Sequence, residues 1–353
     1  MLVLALLAFG VAATAFAFVP QEPRLWSASV ALVILGGITP MIYAVSIRIM
    51  PVFSRRSWQR PRLLAAGVAS GVAGGWLVFA GRASSAPNIE LTGHLAALAG
   101  GIGFVVSIIL LFRSAITAKV APPLPYPEHV VIDRVGVQFT RIAGVWLLTG
   151  LSIGVLLELW TPSRGRWELV WAHSLLLGWF LMMAFGVSYH VLSRWTGERW
   201  RSHRRVRVHL LVTAISVPLM VVALAADIDR LFAVAGTTQA LAVGLFVWNA
   251  FPLVRRLPGA SRLALLCASG FLVLGVSIGA SAAIDPVSHA RLRFSHAEIN
   301  LLGWAGLLIL GMGYYLFPRF AGRPLPWPRL APAQIAAHAS GVVLSAVAWW
   351  WYL

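Results

Sequence analysis

The chain has 353 residues, is 59% hydrophobic and only 11% charged, and carries a formal net charge of +17 with a mean hydropathy of +0.82. A soluble domain is about one quarter charged, so this composition excludes an ordinary water-soluble fold. The single cysteine, Cys267, lies inside an apolar run; that excludes a disulfide framework and makes it a small packing residue.

The apolar residues fall in blocks close to the ~20 residues that a helix needs to cross ~30 Å of hydrocarbon. Eleven spans are predicted, over residues 2–19, 25–47, 63–81, 90–112, 138–159, 167–192, 208–226, 231–254, 263–283, 294–317 and 332–352. The expected fold class is all-α, a polytopic helical membrane protein with one membrane domain over residues 1–353. The first block has no basic residues ahead of it, so it reads as a membrane helix and not as a signal peptide. Arg48, Arg55, Arg56, Arg60 and Arg62 follow the second span. Residues 114–137 follow the fourth, and their Pro-rich "APPLPYP" marks a cytoplasmic linker. "RWTGERWRSHRRVR" follows the sixth span, Arg255, Arg256 and Arg262 the eighth, and Arg319, Arg323 and Arg329 the tenth. The alternate loops hold only scattered Arg such as Arg24, Arg82 and Arg230. By the positive-inside rule the N-terminus is cytoplasmic and the C-terminus outside. The charge is therefore a topology signal: the partner is the lipid bilayer with its anionic headgroups, and no nucleic acid is expected.

Three segments align without gaps: "LGGITPMIYAVSIRIMPVF" from Leu35, "LGWFLMMAFGVSYHVLSRW" from Leu177 and "LGWAGLLILGMGYYLFPRF" from Leu302, at offsets of 142 and 125 residues. Each occupies the second helix of a block, which divides the spans as 4+4+3, with repeats over about 1–113, 138–254 and 263–353. The repeated Gly36, Gly178 and Gly303, and then Gly186 and Gly311, would let helices approach closely in lipid.

Among nine histidines, His129, His203 and His209 sit in or beside cytoplasmic loops and read as solvated or headgroup-facing. His190 reads as interfacial, and His289 belongs to an outer loop. His94, His173 and His296 differ, because each falls a few residues inside the outer end of its span. Ionisable groups at membrane depth are costly and face a partner, a cavity or a cofactor. Neutral imidazole ligates haem iron, copper and zinc; the bland alternative is a hydrogen bond to a neighbouring helix, and His338 is open between the two. His296 and Asn300 are four residues apart and share a helix face, whereas Glu298 points about 200° away from His296.

The run from His296 to Arg319, with Leu-Gly-Trp after its polar start and "YYLFPRFAGRP" at its end, resembles the tenth helix of haem–copper oxidase subunit I. The C-family cytochrome c oxidases and the nitric oxide reductase large subunits are the most similar members. That family has twelve helices in three pseudo-repeated blocks of four, and the repeat phase here is similar over most of the chain, with no counterpart of the twelfth. In the family this helix presents His-x-His to two haems; here those positions hold His296 and Glu298. The resemblance thus implies His296 as a haem axial ligand, with Glu298 and Asn300 beside the cofactor. His173 falls where the family's sixth helix supplies a copper ligand, and His94 is a further metal candidate at the same depth. No His precedes His94 and no adjacent His-His pair occurs, so the second haem and the three-His copper lack their ligands.

The implied function is a membrane protein binding a single b-type haem for gas binding, sensing or electron transfer, without full oxygen reduction. One alternative is a minimal nitric oxide reductase or another oxidoreductase using haem with copper or iron; another is a cofactor-free transporter or assembly partner. The implied partners are a diatomic gas or quinone and an electron donor or companion subunit, in a bacterial or archaeal cytoplasmic membrane. No Cys-x-x-Cys-His occurs, which excludes covalent haem.

Overall fold

The computed structural model describes residues 2–19, 22–117, 126–160 and 164–352, without the side chains of residues 2, 286–291 and 350–352. Every regular element among them is helical. Among the described residues, ten helices are long and apolar enough to cross a membrane. They follow α1 (Leu2–Ala17) and are α2 (Arg24–Ser54), α3 (Pro61–Ser84), α4 (Pro87–Arg113), α5 (His129–Leu159), α6 (Arg164–Thr196), α7 (His203–Ala226), α8 (Asp229–Val254), α9 (Gly259–Ile284), α10 (Leu292–Ala321) and α11 (Leu330–Tyr352). The 16 residues of α1 extend only ~24 Å, short of a hydrocarbon core of ~30 Å. Helix α5 starts nine residues ahead of the span expected from residue 138, so the end of the expected linker is helical. Linker residues 118–125 lie outside the described residues. The helical backbone that continues into α10 begins at Pro286, six residues before the apolar span, so the backbone of His289 is in a helix and not in the expected loop; its side chain lies outside the described set.

The chain divides into two compact units, Met1–Pro123 with Thr140–Met183, and Leu124–Phe139 with Ala184–Leu353. In the first unit, α3 and α4 touch backbone to backbone. A Cβ at Gly74 would lie 2.4 Å from the Ala97 nitrogen, and one at Gly100 2.4 Å from the Gly71 nitrogen. With glycines on the contact face, α4 is built with small residues inside and large ones outside: Leu95, Ile102, Val106 and Ile109 are exposed, while Ala97, Gly100 and Gly103 are buried. That pattern suits a lipid surroundings, where close backbone packing replaces the hydrophobic drive between helices. The tight α3–α4 turn, with Ser85 left-handed (φ 54°) and Pro87 opening α4, sets the end of α3 against the start of α4.

Helices α2, α6 and α10 each contain a π-helical segment, at Leu32–Ile38, Ser174–Leu181 and Ile299–Gly306. These begin 142 and 125 residues apart, the offsets of the three aligned sequence segments. In each, an aromatic ring seats against a glycine of the π segment. Phe9 lies over Gly37, Trp146 over Gly178 and Phe271 over Gly303.

In the second unit α7, α8, α9, α10 and α11 follow one another through short connections. Two histidines expected to be solvated are buried there. His209, fully buried, stands among Phe139, Phe185, Tyr189 and Phe246, and its Nδ1 is 2.9 Å from the Tyr189 hydroxyl. His129 accepts the Trp200 N–H at Nε2 (3.3 Å), so its Nδ1 carries the proton to the Ser193 hydroxyl (3.0 Å). The reason is local: Trp200, in the segment between α6 and α7, folds over these side chains and excludes water. His203 is exposed, as expected. His190 is half-buried and bonds Asp133, which Arg194 also holds.

Candidate functional site

The densest polar cluster in the first unit lies where α3 ends, α4 and α6 begin and α5 ends. Arg82, in the last turn of α3, donates from Nε to Glu90 Oε1 at 2.7 Å and from Nη1 to the Ser27 carbonyl at 3.2 Å. Arg164, the first residue of α6, donates from Nη2 to Glu90 Oε1 at 2.6 Å and to Glu158 Oε1 at 2.9 Å. Its Nε reaches Glu168 Oε1 at 3.2 Å, and Glu168 also stands 3.9 Å from Arg82 Nη2. The side chains of Arg82, Glu90 and Glu158 are 4%, 6% and 3% exposed, while that of Arg164 is 43% exposed. Three of the chain's eleven acidic residues therefore meet two guanidiniums at one place. Enclosing Arg82, Glu90 and Glu158 is costly, and their pairing with one another and with the more exposed Arg164 and Glu168 offsets the cost.

His94 lies one turn beyond Glu90 on α4, so helical periodicity puts both on the same face. Its ring is fully buried, stands edge-on to Trp171 and fills the notch at Gly154, where a Cβ would come within 2.5 Å of Nδ1. Neither ring nitrogen has a hydrogen-bond partner; Nε2 is 3.9 Å from Glu90 Oε1, beyond hydrogen-bonding distance. Ligand atoms of Glu90, His94 and Glu158 all lie within 4.8 Å of one another.

The other candidate residues lie elsewhere. His173, half-buried in the first unit, donates from Nδ1 to the Leu169 carbonyl of its own helix (2.8 Å) and is not part of the Glu90–His94–Glu158 group. In the second unit, His296 donates from Nδ1 to the Gly275 carbonyl of α9 (2.9 Å), and its ring covers Gly279. Asn300 donates to the His296 carbonyl at 2.7 Å, so these two share a face as their spacing requires. Glu298, 1% exposed, turns instead to Ser345 and Trp349 of α11. One helix thus addresses two neighbours with its polar groups. His338 reaches the Leu302 carbonyl at 2.8 Å and packs over Gly306. A cavity of about 570 Å³ in this unit, lined by Ser261, Arg262, Tyr315 and Arg319 among others, includes none of these histidines.

Sequence reasoning singled out His94 but not Glu90, Glu158, Arg82 or Arg164. The signal was available: Glu90 and Glu158 fall inside expected spans, and Glu90 precedes His94 by one helical turn. No protein-family model matches the chain, and no curated protein matches it.

Proposed function

We propose that the chain is a haem-binding integral membrane protein that holds one b-type haem through His296, for gas binding, gas sensing or electron transfer. The observation that carries the reading is the Nδ1–H of His296 donated to the Gly275 carbonyl. Histidines that ligate metals commonly donate their other nitrogen to a carbonyl or carboxylate, which fixes the tautomer and makes Nε2 the ligating atom. The donor chemistry of His296 therefore fits an axial ligand. Asn300 supports it by pinning the His296 carbonyl, and Gly279 gives the ring its room. Glu298, turned to α11, belongs to the packing of that helix pair and not to the haem set. A haem held by His296 would supply an iron able to take a diatomic gas or to pass single electrons.

The arginine distribution supports a cytoplasmic N-terminus and an outer C-terminus, and the matched spacing of the π segments supports a 4+4+3 arrangement; both require the short α1 to cross as an eleventh span beside the ten longer helices. A second reading, a haem-free ion-coupled transporter, is favoured by the buried Arg82–Glu90–Arg164–Glu158 network, because ionisable groups at membrane depth mark ion pathways. Purified protein separates the two. Reduced-minus-oxidised spectra with and without carbon monoxide, and a pyridine haemochrome assay, should give one haem b per chain. His296→Ala should lose the haem or shift the Soret band, and His173→Ala should retain it. Wild-type protein without haem after expression with haem supplied would leave the transporter reading standing.

A further inference from the structure

We propose that Glu90, His94 and Glu158 form a binding site for a divalent transition-metal ion, and that Arg164 is the displaceable internal cation that occupies its charge position when no metal is bound. This rests on the first unit alone and is independent of the haem reading.

Three observations converge. The donor atoms are close enough to share one ion, all within 4.8 Å of each other, and come from α4 and α5, which are fixed by close packing. One imidazole and two carboxylates form a mixed nitrogen–oxygen set suited to zinc, manganese or iron(II), with room in the coordination sphere for water. His94 is fully buried, with both nitrogens unpartnered and Nε2 turned toward the carboxylates. An imidazole that only filled the Gly154 notch would gain by donating to a carbonyl, as His173, His296 and His338 do. His94 is held out of any such bond. The third observation is the position of Arg164. Its Nη2 sits 2.6 Å from one carboxylate and 2.9 Å from the other, bridging the two groups that a metal would bridge.

The charges also balance. Glu90, Glu158 and Glu168 carry three negative charges against Arg82 and Arg164. With Arg164 turned out to solvent, where it is already 43% exposed, the three carboxylates are neutralised by Arg82 and one dication. Arg82 is enclosed, with its side chain 4% exposed, and stays as the fixed counter-charge. The exchange therefore replaces a partly exposed side chain at the start of a helix by an ion from solution, without leaving a net buried charge.

The test uses untagged full-length protein in detergent, titrated with cobalt(II) and read by visible absorption, with zinc(II) as competitor. Arg164→Gln, whose amide can still bond the carboxylates, should bind one cobalt per chain roughly tenfold more tightly than wild type. Arg164→Ala should behave likewise. Adding His94→Ala to Arg164→Gln should weaken binding by at least about tenfold and alter the cobalt spectrum. His203→Ala, at an exposed histidine outside the cluster, should change nothing. The proposal is overturned if both Arg164 variants bind no tighter than wild type, or if the His94→Ala double variant binds as tightly and with the same spectrum. In a purely structural network Arg164→Gln would lose stability without gaining affinity. Haem content in the same preparations reports on His296 separately, so failure of one reading does not mask the other.

Discussion

Arg82→Met removes the most enclosed charge of the network while keeping most of the side-chain volume. The lost contacts are the 2.7 Å bond to Glu90, the 3.2 Å bond to the Ser27 carbonyl and the stacking 5.0 Å over Trp171. Breaking a buried ion pair by deleting one partner costs about 3–5 kcal/mol, because the remaining charge is left uncompensated. Arg164 still holds Glu90 at 2.6 Å, which argues for the lower end, about 3 kcal/mol. Glu90→Gln should cost a similar amount, since it takes the shared carboxylate from both guanidiniums and leaves Arg82 only the Ser27 carbonyl and the more distant Glu168. The double variant should cost less than the sum by roughly 1.5–3 kcal/mol, the coupling expected of groups in one network. Unfolding in detergent followed by the fluorescence of the chain's 16 tryptophans gives the four global stabilities. Additive costs, or an Arg82→Met variant within about 0.5 kcal/mol of wild type, would refute the claim that mutual pairing offsets the burial of these charges.

Gly74→Ala should destabilise by at least about 1–3 kcal/mol, because its Cβ would meet backbone 2.4 Å away that has no side-chain freedom to yield; Gly144→Ala, in open space, is the matched control in the same melting assay. His209→Ala leaves the Tyr189 hydroxyl without its partner and opens a hole among four aromatic rings, so a loss of about 2–4 kcal/mol is expected in unfolding measurements. In a Cys267→Ser background, a cysteine placed at Ser85 should react with a membrane-impermeant maleimide added to whole cells, and one at Gln59 only after lysis; the reverse pattern would invert the proposed orientation.

The helical class was legible because twenty-residue apolar blocks admit no other membrane solution. Span limits were less so: Arg24, Arg164 and Arg255 lie at helix ends where hydropathy averages across polar termini. Facing within one helix was readable, since Glu298 turns away from His296 as their spacing requires, but the neighbour each group meets was not. His129 and His209 lie near span ends, where a linear reading gives them to solvent, and only the return of Trp200 encloses His129. Arg82 looked like a stray loop charge for the same reason. Its burial depends on Glu90, eight residues later, being brought back by a turn whose tightness comes from glycines on two helices. The relation of His296 to Asn300 was recoverable from spacing, since both precede the main part of the π segment. The carbonyl that fixes His296 belongs to another helix and leaves no mark in the local sequence.

The wide turns in α2, α6 and α10 alter how their own sequences must be decoded. Each extra residue accommodated in a π segment advances the angular phase of everything after it by about 100°. The two ends of such a helix therefore keep separate registers. In α6, Trp171 is buried before the segment and Tyr189 and Leu192 after it; a single 3.6-residue wheel would set Tyr189, 18 residues on, over Trp171, and the wide turns rotate it off that line. A residue deleted within Ser174–Leu181 should rotate the whole Met182–Thr196 half as a body, whereas the same deletion inside α4 would scramble its glycine seam one position at a time. The π segments are thus phase joints, giving one rod two independent inward faces.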